Sequence, residues 1–231
     1  MQIMLKAKTL VVPKGGLRYA ISDIHGHSKT LNALLNKLNL GVNDRLFFLG
    51  DYVDRGPTSK EVLDTLIKLV AQGTAVALKG NHEDTFSQSV NDAEVEARWI
   101  TNSGGEATLK SFNVASAADV PRAYRVWMKN LPLFAQSGKF ILSHAGVNLN
   151  EKNPLRDTET NVENTLYRRD VLPDLKERLR IIVGHTPKSL GRITRGASSG
   201  KIYIDGGCGY NKNLVAYCLD DDSITSVRCK D

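Results

Sequence analysis

Several short runs rich in β-branched and aromatic residues each stop on a polar side chain of a metal-binding type, and this arrangement restricts the chain to an α/β fold with one chemically crowded sheet edge. The runs are Leu17 to Ser22, Arg45 to Leu49, Thr74 to Leu78, Lys139 to Ser143, Arg180 to Val183, Lys201 to Ile204 and Leu214 to Leu219. Each has the length and composition of a buried strand. Amphipathic helices fit between the early runs: Leu31, Leu34, Leu35 and Leu38 fall at i, i+3, i+4 and i+7, and Val62, Leu63, Leu66, Ile67 and Val70 repeat that pattern. Pro57 has a fixed φ that suits the first turn of the second helix. The early part of the chain therefore reads as β-α-β-α-β.

Asp23 and His25 follow the first run, Asp51 and Asp54 the second, Asn81 and His82 the third, His144 the fourth, His185 the fifth and Asp205 the sixth. In open α/β sheets ligands collect beyond the carboxyl ends of strands, so these side chains are expected to converge. Glycines at 26, 50, 56, 80, 146 and 184 allow sharp turns or close approach to an ion. Between Glu83 and Phe134 the pattern weakens. Glu94 to Ile100 and Arg122 to Met128 read as helices, with Ser103-Gly104-Gly105 and Pro121 as breakers. The expectation is one domain over residues 1–231 with a helical insertion at about 84–134.

Composition narrows the setting. With 41% hydrophobic and 24% charged residues the chain has an ordinary globular balance, and no apolar run approaches the roughly 18 residues of a membrane span. Residues 1–14 lack the pattern of a signal peptide, so a cytoplasmic protein without membrane contact is expected. Cys208, Cys218 and Cys229, odd in number and widely spaced, read as reduced packing thiols. The net charge of +6 is spread along the chain with acids interspersed and no aromatic-basic stripe. It suggests a preference for anionic substrates and no nucleic-acid partner.

The polar set matches the needs of phosphate-ester hydrolysis, in which two cations about 3.5–4 Å apart polarise the phosphoryl oxygens and hold a hydroxide in line with the leaving group. Asp51 is the natural bridge, with Asp23 and His25 serving one ion and Asn81, His144 and His185 the other. Mixed N and O donors suit two divalent ions, Mn²⁺ first and Fe or Zn²⁺ as alternatives, and are poor for Ca²⁺. His82 is then free to act as general acid, oriented by Asp54, while Arg55, a later arginine and Asn81 hold the phosphate. His27 reads as a solvated helix-start residue, and Trp99 and Trp127 as packing of the insertion.

Ser-Asp-Ile-His-Gly at 22–26, Gly-Asp-Tyr-Val-Asp-Arg-Gly at 50–56, Gly-Asn-His-Glu at 80–83, His-Ala-Gly at 144–146 and Gly-His-Thr at 184–186 together resemble the phosphoprotein phosphatase family of calcineurin-like metallophosphoesterases, in its small bacterial and phage form. The similarity runs from about Tyr19 to Leu219. It implies two mixed β-sheets packed face to face with helices outside. It also implies metal ligands at Asp23, His25, Asp51, Asn81, His144 and His185, an acid dyad of His82 and Asp54, and a phosphate-binding Arg55. Small members carry a second arginine in a Trp-x-Arg string; Leu166-Tyr167-Arg168-Arg169 matches with Tyr for Trp, which points to Arg169 with Arg168 in reserve. Two departures stand out: Ser22 where Gly is usual, and Ile-Asp-Gly-Gly-Cys at 204–208 where Asp-Thr-Gly is common. Asp205 could support a metal-binding histidine or form a turn.

The resemblance implies a phosphomonoesterase acting on phosphoserine and phosphothreonine in phosphorylated proteins or peptides, with phosphotyrosine as a further substrate. Gly-Asn-His-Glu supports that reading, because the related symmetrical dinucleoside tetraphosphatases usually carry Gly-Asn-His-Asp. Those nucleotide hydrolases are the alternative. A relative that binds phosphorylated partners without cleaving them would have lost a ligand or the acid, and the chain keeps all of them.

Overall fold

A computed structural model describes residues 8–147, 159–168, 180–190 and 200–230. Its strands are β1 (Lys8–Thr9), β2 (Arg18–Ile21), β3 (Arg45–Phe48), β4 (Ala75–Ala77), β5 (Phe134–Ser137), β6 (Phe140–Ser143), β7 (Arg180–Val183), β8 (Lys201–Tyr203), β9 (Asn213–Cys218) and β10 (Ile224–Arg228). The α-helices are α1 (Ser28–Leu38), α2 (Ser59–Ala71), α3 (Asn81–Ser89), α4 (Ala93–Arg98), α5 (Gly105–Phe112), α6 (Arg122–Lys129) and α7 (Glu159–Leu166). Two five-stranded mixed sheets form, in the orders β10-β9-β2-β3-β4 and β1-β5-β6-β7-β8. Strands β2, β3 and β4 are parallel and joined by α1 and α2, the β-α-β-α-β start that the periodicity predicts.

The pleat explains why the sheets stack. Alternate residues of a strand point to opposite faces. Phe47 and Leu49 join Phe140, Leu142, Ile182 and Ile202 in an apolar layer between the sheets. Leu46 and Phe48 turn the other way, onto Leu31 and Leu34 of α1 and Val62, Leu63 and Leu66 of α2. On the outer face of the second sheet Ile141, Ile181 and Val183 pack with Leu166 of α7. Each such side chain fully withdrawn from water contributes about 1.5–3 kcal/mol before entropy is counted. The result is the αββα layering that the sequence resemblance implies. None of the helices in the described residues is long and apolar enough to cross a membrane.

Some expectations needed correction. Strands β1, β5 and β10 were not expected: β1 has two residues and β10 is only half-buried, so neither carries an apolar run. Lys139 belongs to a two-residue turn with Gly138 at φ 59°, pairing Ser137 with Phe140 across a tight hairpin. His27 caps α1 as a helix-start residue but is buried, with Nδ1 3.0 Å from the Ile24 carbonyl. Cys208 and Cys229 are joined in a disulfide, Cα atoms 5.6 Å apart across 21 residues of sequence, and Cys218 is a buried free thiol. The β9–β10 hairpin runs out and back over that separation, with Cys229 N–H donating to the Lys212 carbonyl at 2.8 Å, so wide spacing in sequence became proximity.

Candidate active site

The edge where β2, β3, β4, β6 and β7 end carries the polar side chains, and the backbone there is strained to present them. His25, Asp51, Asp54, Arg55 and His185 have φ of 49°, 56°, 72°, 72° and 61°, in the left-handed region that side chains with a Cβ avoid. Such residues cost on the order of 1–3 kcal/mol each and persist where their surroundings over-determine them. Here the amides of Ile24 and His25 both donate to the Asp51 carbonyl at 2.9 Å. Glu83, fully buried, takes the amides of Asp51 (2.9 Å), Tyr52 (2.7 Å) and Gly80 (2.9 Å). Burial first, then the Asp51 charge, pushes its carboxyl up to about 7 against the lowering effect of those amides. Glycine is required at two contacts: a Cβ at Gly80 would lie 2.2 Å from Asp51 Oδ1, and one at Gly184 2.2 Å from Asp23 Oδ2.

Backbone carbonyls from distant segments fix the histidines. His25 Nδ1 lies 3.0 Å from the Val53 carbonyl and His144 Nδ1 2.9 Å from the Leu49 carbonyl, so each Nδ1 keeps its proton and each Nε2 turns a lone pair inward. Burial holds both imidazoles below their usual range. Asp51 sends Oδ2 to within 3.6 Å of His25 Nε2 and Oδ1 to within 3.4 Å of His144 Nε2. Its burial would raise its pKa, but His144, His82 and His25 outweigh that and hold it below the carboxylate range. Candidate ligand atoms of His25, Asp51 and His82 lie within 4.8 Å of one another, as do those of Asp51, His144 and His185.

This donor set fits divalent cations. Asn81 Oδ1 and His144 Nε2 are both acceptors yet stand 2.9 Å apart, with His185 Nδ1 3.0 Å from each. Two acceptors at that distance repel unless a cation, or a proton on His185 Nδ1, sits between them. Asp51, with one oxygen toward each cluster, has the geometry of a bridging carboxylate.

His82 belongs to a different circuit. Its Nδ1 lies 2.6 Å from Asp54 Oδ2, and burial, which would lower its pKa, is overcome by Asp51 and Asp54, so it is raised. Asp54 is itself held by Trp99 Nε1–H at 2.8 Å and Thr108 Oγ1–H at 2.7 Å. Arg55 reaches over the centre, its two terminal nitrogens 2.9 Å from His25 Nε2 and 3.0 Å from His82 Nε2. Its amide donates to the Gly104 carbonyl at 3.1 Å.

Placement of the other candidates is uneven. Asp23 stands outside both ligand clusters and accepts the His185 amide at 2.9 Å, while burial and the neighbouring Asp205 and Asp51 raise its pKa well above the carboxylate range. Asp205 closes a turn, its Oδ1 accepting from Gly207 N at 2.7 Å. Arg168 is exposed and pairs with Glu163 at 3.3 Å; Arg169 lies outside the described residues. Trp99 packs the insertion as expected, but its indole N–H also serves the dyad. Thr108, Glu83 and the Ser103-Gly104-Gly105 breaker were missed as parts of the site. Glu83 was legible as part of Gly-Asn-His-Glu, and the breaker only as its glycines: a Cβ at Gly105 would lie 2.4 Å from the Trp99 ring.

The family model for calcineurin-like phosphoesterases matches residues 19–217. The chain belongs to that family. It is 30% identical over 233 aligned positions to a bis(5'-nucleosyl)-tetraphosphatase PrpE, asymmetrical, of Anoxybacillus flavithermus, covering 90% of this chain and 92% of the relative. A protein of the same name from Bacillus velezensis is 26% identical, covering 90% of each. Among solved structures, a protein serine/threonine phosphatase from Saccharomyces cerevisiae superposes with a TM-score of 0.63 at 14% identity, over 97% of this chain and 84% of that one. That likeness concerns the fold alone. This calcineurin-like phosphoesterase is therefore a hydrolase whose candidate metal ligands are gathered at one sheet edge.

Proposed function

We propose that this chain hydrolyses a phosphoanhydride bond of dinucleoside tetraphosphates. The observation that carries the reading is the 30% identity, over nine-tenths of the chain, to a relative named as a bis(5'-nucleosyl)-tetraphosphatase. The first expectation, phosphoserine and phosphothreonine in proteins, leaned on Glu83 in Gly-Asn-His-Glu. That carboxylate is fully buried and committed to the Asp51, Tyr52 and Gly80 amides, so it gives no support to either substrate class.

In this reading two divalent cations are held by Asp23, His25, Asp51, Asn81, His144 and His185, with Mn²⁺ proposed first. When bound, they would supply positive charge to the phosphoryl oxygens and lower the pKa of the attacking water. The protein's own groups do the rest. Arg55 turns its paired N–H groups from the histidines to the phosphoryl oxygens, a bidentate contact its planar fork suits. Asn81 and the second arginine, Arg169, complete the hold on the phosphate. His82, protonated and aligned by Asp54, donates its Nε2 proton to the oxygen that departs as the P–O bond breaks.

The test is a comparison of kcat/KM for diadenosine tetraphosphate, a phosphoserine peptide and a phosphotyrosine peptide with Mn²⁺ present. Diadenosine tetraphosphate is expected to lead, and the products decide the cleavage point: ATP with AMP for asymmetrical cleavage, two ADP for symmetrical. Faster turnover of either peptide would reject the nucleotide reading. A chelator is expected to abolish activity and added Mn²⁺ to restore it; activity surviving metal removal would reject the metal assignment.

A further inference from the structure

Tyr210 sits beside the site and no motif accounts for it. It ends a short 3-10 turn, Cys208–Tyr210, that follows β8, and it is 57% exposed. Its ring centroid is 4.7 Å from Arg55 Cζ, so one face of the phenol covers the guanidinium. Gly209 brings the turn this close: a Cβ there would lie 2.4 Å from His25 Cδ2 and 2.8 Å from an Arg55 terminal nitrogen. The backbone approaches in this way only because that residue lacks a side chain. The outcome is a flat aromatic ring at the rim, backed by the cation assigned to the phosphate and open to solvent on its other side.

We propose that the open face of Tyr210 is a nucleobase subsite, on which the base of the nucleotide held at Arg55 stacks. The inference rests on the nucleotide reading above and names where that substrate's base lies. A purine is a neutral π-surface joined to its phosphate through a ribose, which lets it fold back over a neighbouring ring. Base–aromatic stacking tolerates any base and is strengthened by a cation behind the ring. A phosphotyrosine ring is bonded directly to the departing oxygen and lacks the ribose that lets a base fold back over a neighbouring ring.

The experiment compares competitive inhibition by AMP, ribose 5-phosphate and inorganic phosphate, measured on hydrolysis of p-nitrophenyl phosphate by wild-type, Tyr210→Ala and Tyr210→Phe proteins. AMP and ribose 5-phosphate differ only by the base. In the wild type AMP is expected to bind more tightly, on the order of tenfold for one stacked base. Tyr210→Ala should bring the AMP Ki up to that of ribose 5-phosphate and leave the other two constants in place, while Tyr210→Phe should keep the advantage. Equal wild-type constants for AMP and ribose 5-phosphate would overturn the subsite. So would an AMP advantage that survives Tyr210→Ala. A parallel rise of all three constants would also overturn it, because Tyr210 would then be steadying Arg55. None of these readings depends on diadenosine tetraphosphate turnover, so failure of the nucleotide hydrolase reading is scored separately.

Discussion

At the level of single residues the site divides lone pairs from protons. His25 and His144 commit Nδ1 to backbone carbonyls and turn Nε2 inward, whereas His82 commits Nδ1 to a carboxylate and so favours the protonated ring. The same residue type thereby takes two roles, set by what stands behind the ring. His82→Asn is expected to keep the metal content and lose on the order of 10²- to 10⁴-fold in kcat, the range for a lost general acid. Parallel metal analysis and steady-state kinetics check this, and turnover near that of wild type would assign the proton to another group. For Arg55→Ala the expected signature is weaker inhibition by inorganic phosphate with His82 chemistry intact. The motif types were legible as residues because Asp, Asn and His at strand ends have few packing roles. The hydrogen bond that Asp23 accepts from the His185 amide was not legible, because the two residues stand 162 positions apart.

Single elements position those residues. The first turn of α3 carries Asn81, His82 and Glu83 in succession: a candidate ligand, the acid and the anchor of the β3–α2 loop. Glu83→Ala would leave the buried amides of Asp51, Tyr52 and Gly80 without their acceptor, at about 1–3 kcal/mol for an unsatisfied buried group. The midpoint of denaturation should fall and metal content with it. Glu83→Asp should leave the ratio of diadenosine tetraphosphate to phosphoserine turnover unchanged; a shifted ratio would show that this position does read the substrate. The helical segment between α3 and β5 contributes through Trp99, which opens a π-helical turn (Trp99–Ser103), and through Thr108 on α5. Trp99→Phe preserves most of the ring and removes the N–H to Asp54, so kcat should fall on the order of tenfold with little change in the thermal midpoint. The opposite pattern would make Trp99 a packing residue only.

At the scale of the whole molecule the two sheets hold the strand ends in register with one another. Phe47 lies fully buried between them, and Phe47→Ala is expected to destabilise by about 3–5 kcal/mol, measured by denaturant titration. The Cys208–Cys229 disulfide ties the turn bearing Tyr210 to the end of β10. Reduction, or Cys229→Ser, should cost about 2–4 kcal/mol, and the variant should be indifferent to reductant. A melting midpoint that reductant leaves in place would argue against that bond in solution.

The sequence alone determined the αβ alternation, because helical and strand periods differ and can be read in a line. It also determined which side chains crowd the sheet edge, because each motif follows its strand directly. Tertiary structure decided what depends on residues distant in sequence. The hairpin that unites Cys208 with Cys229, the contact of Trp99 and Thr108 with Asp54, and the inward turn of Glu83 join segments that no local period connects. The seat of Tyr210 on Arg55 is of the same kind: it exists because Gly209 lets one loop close on another, and no pattern along either loop records it.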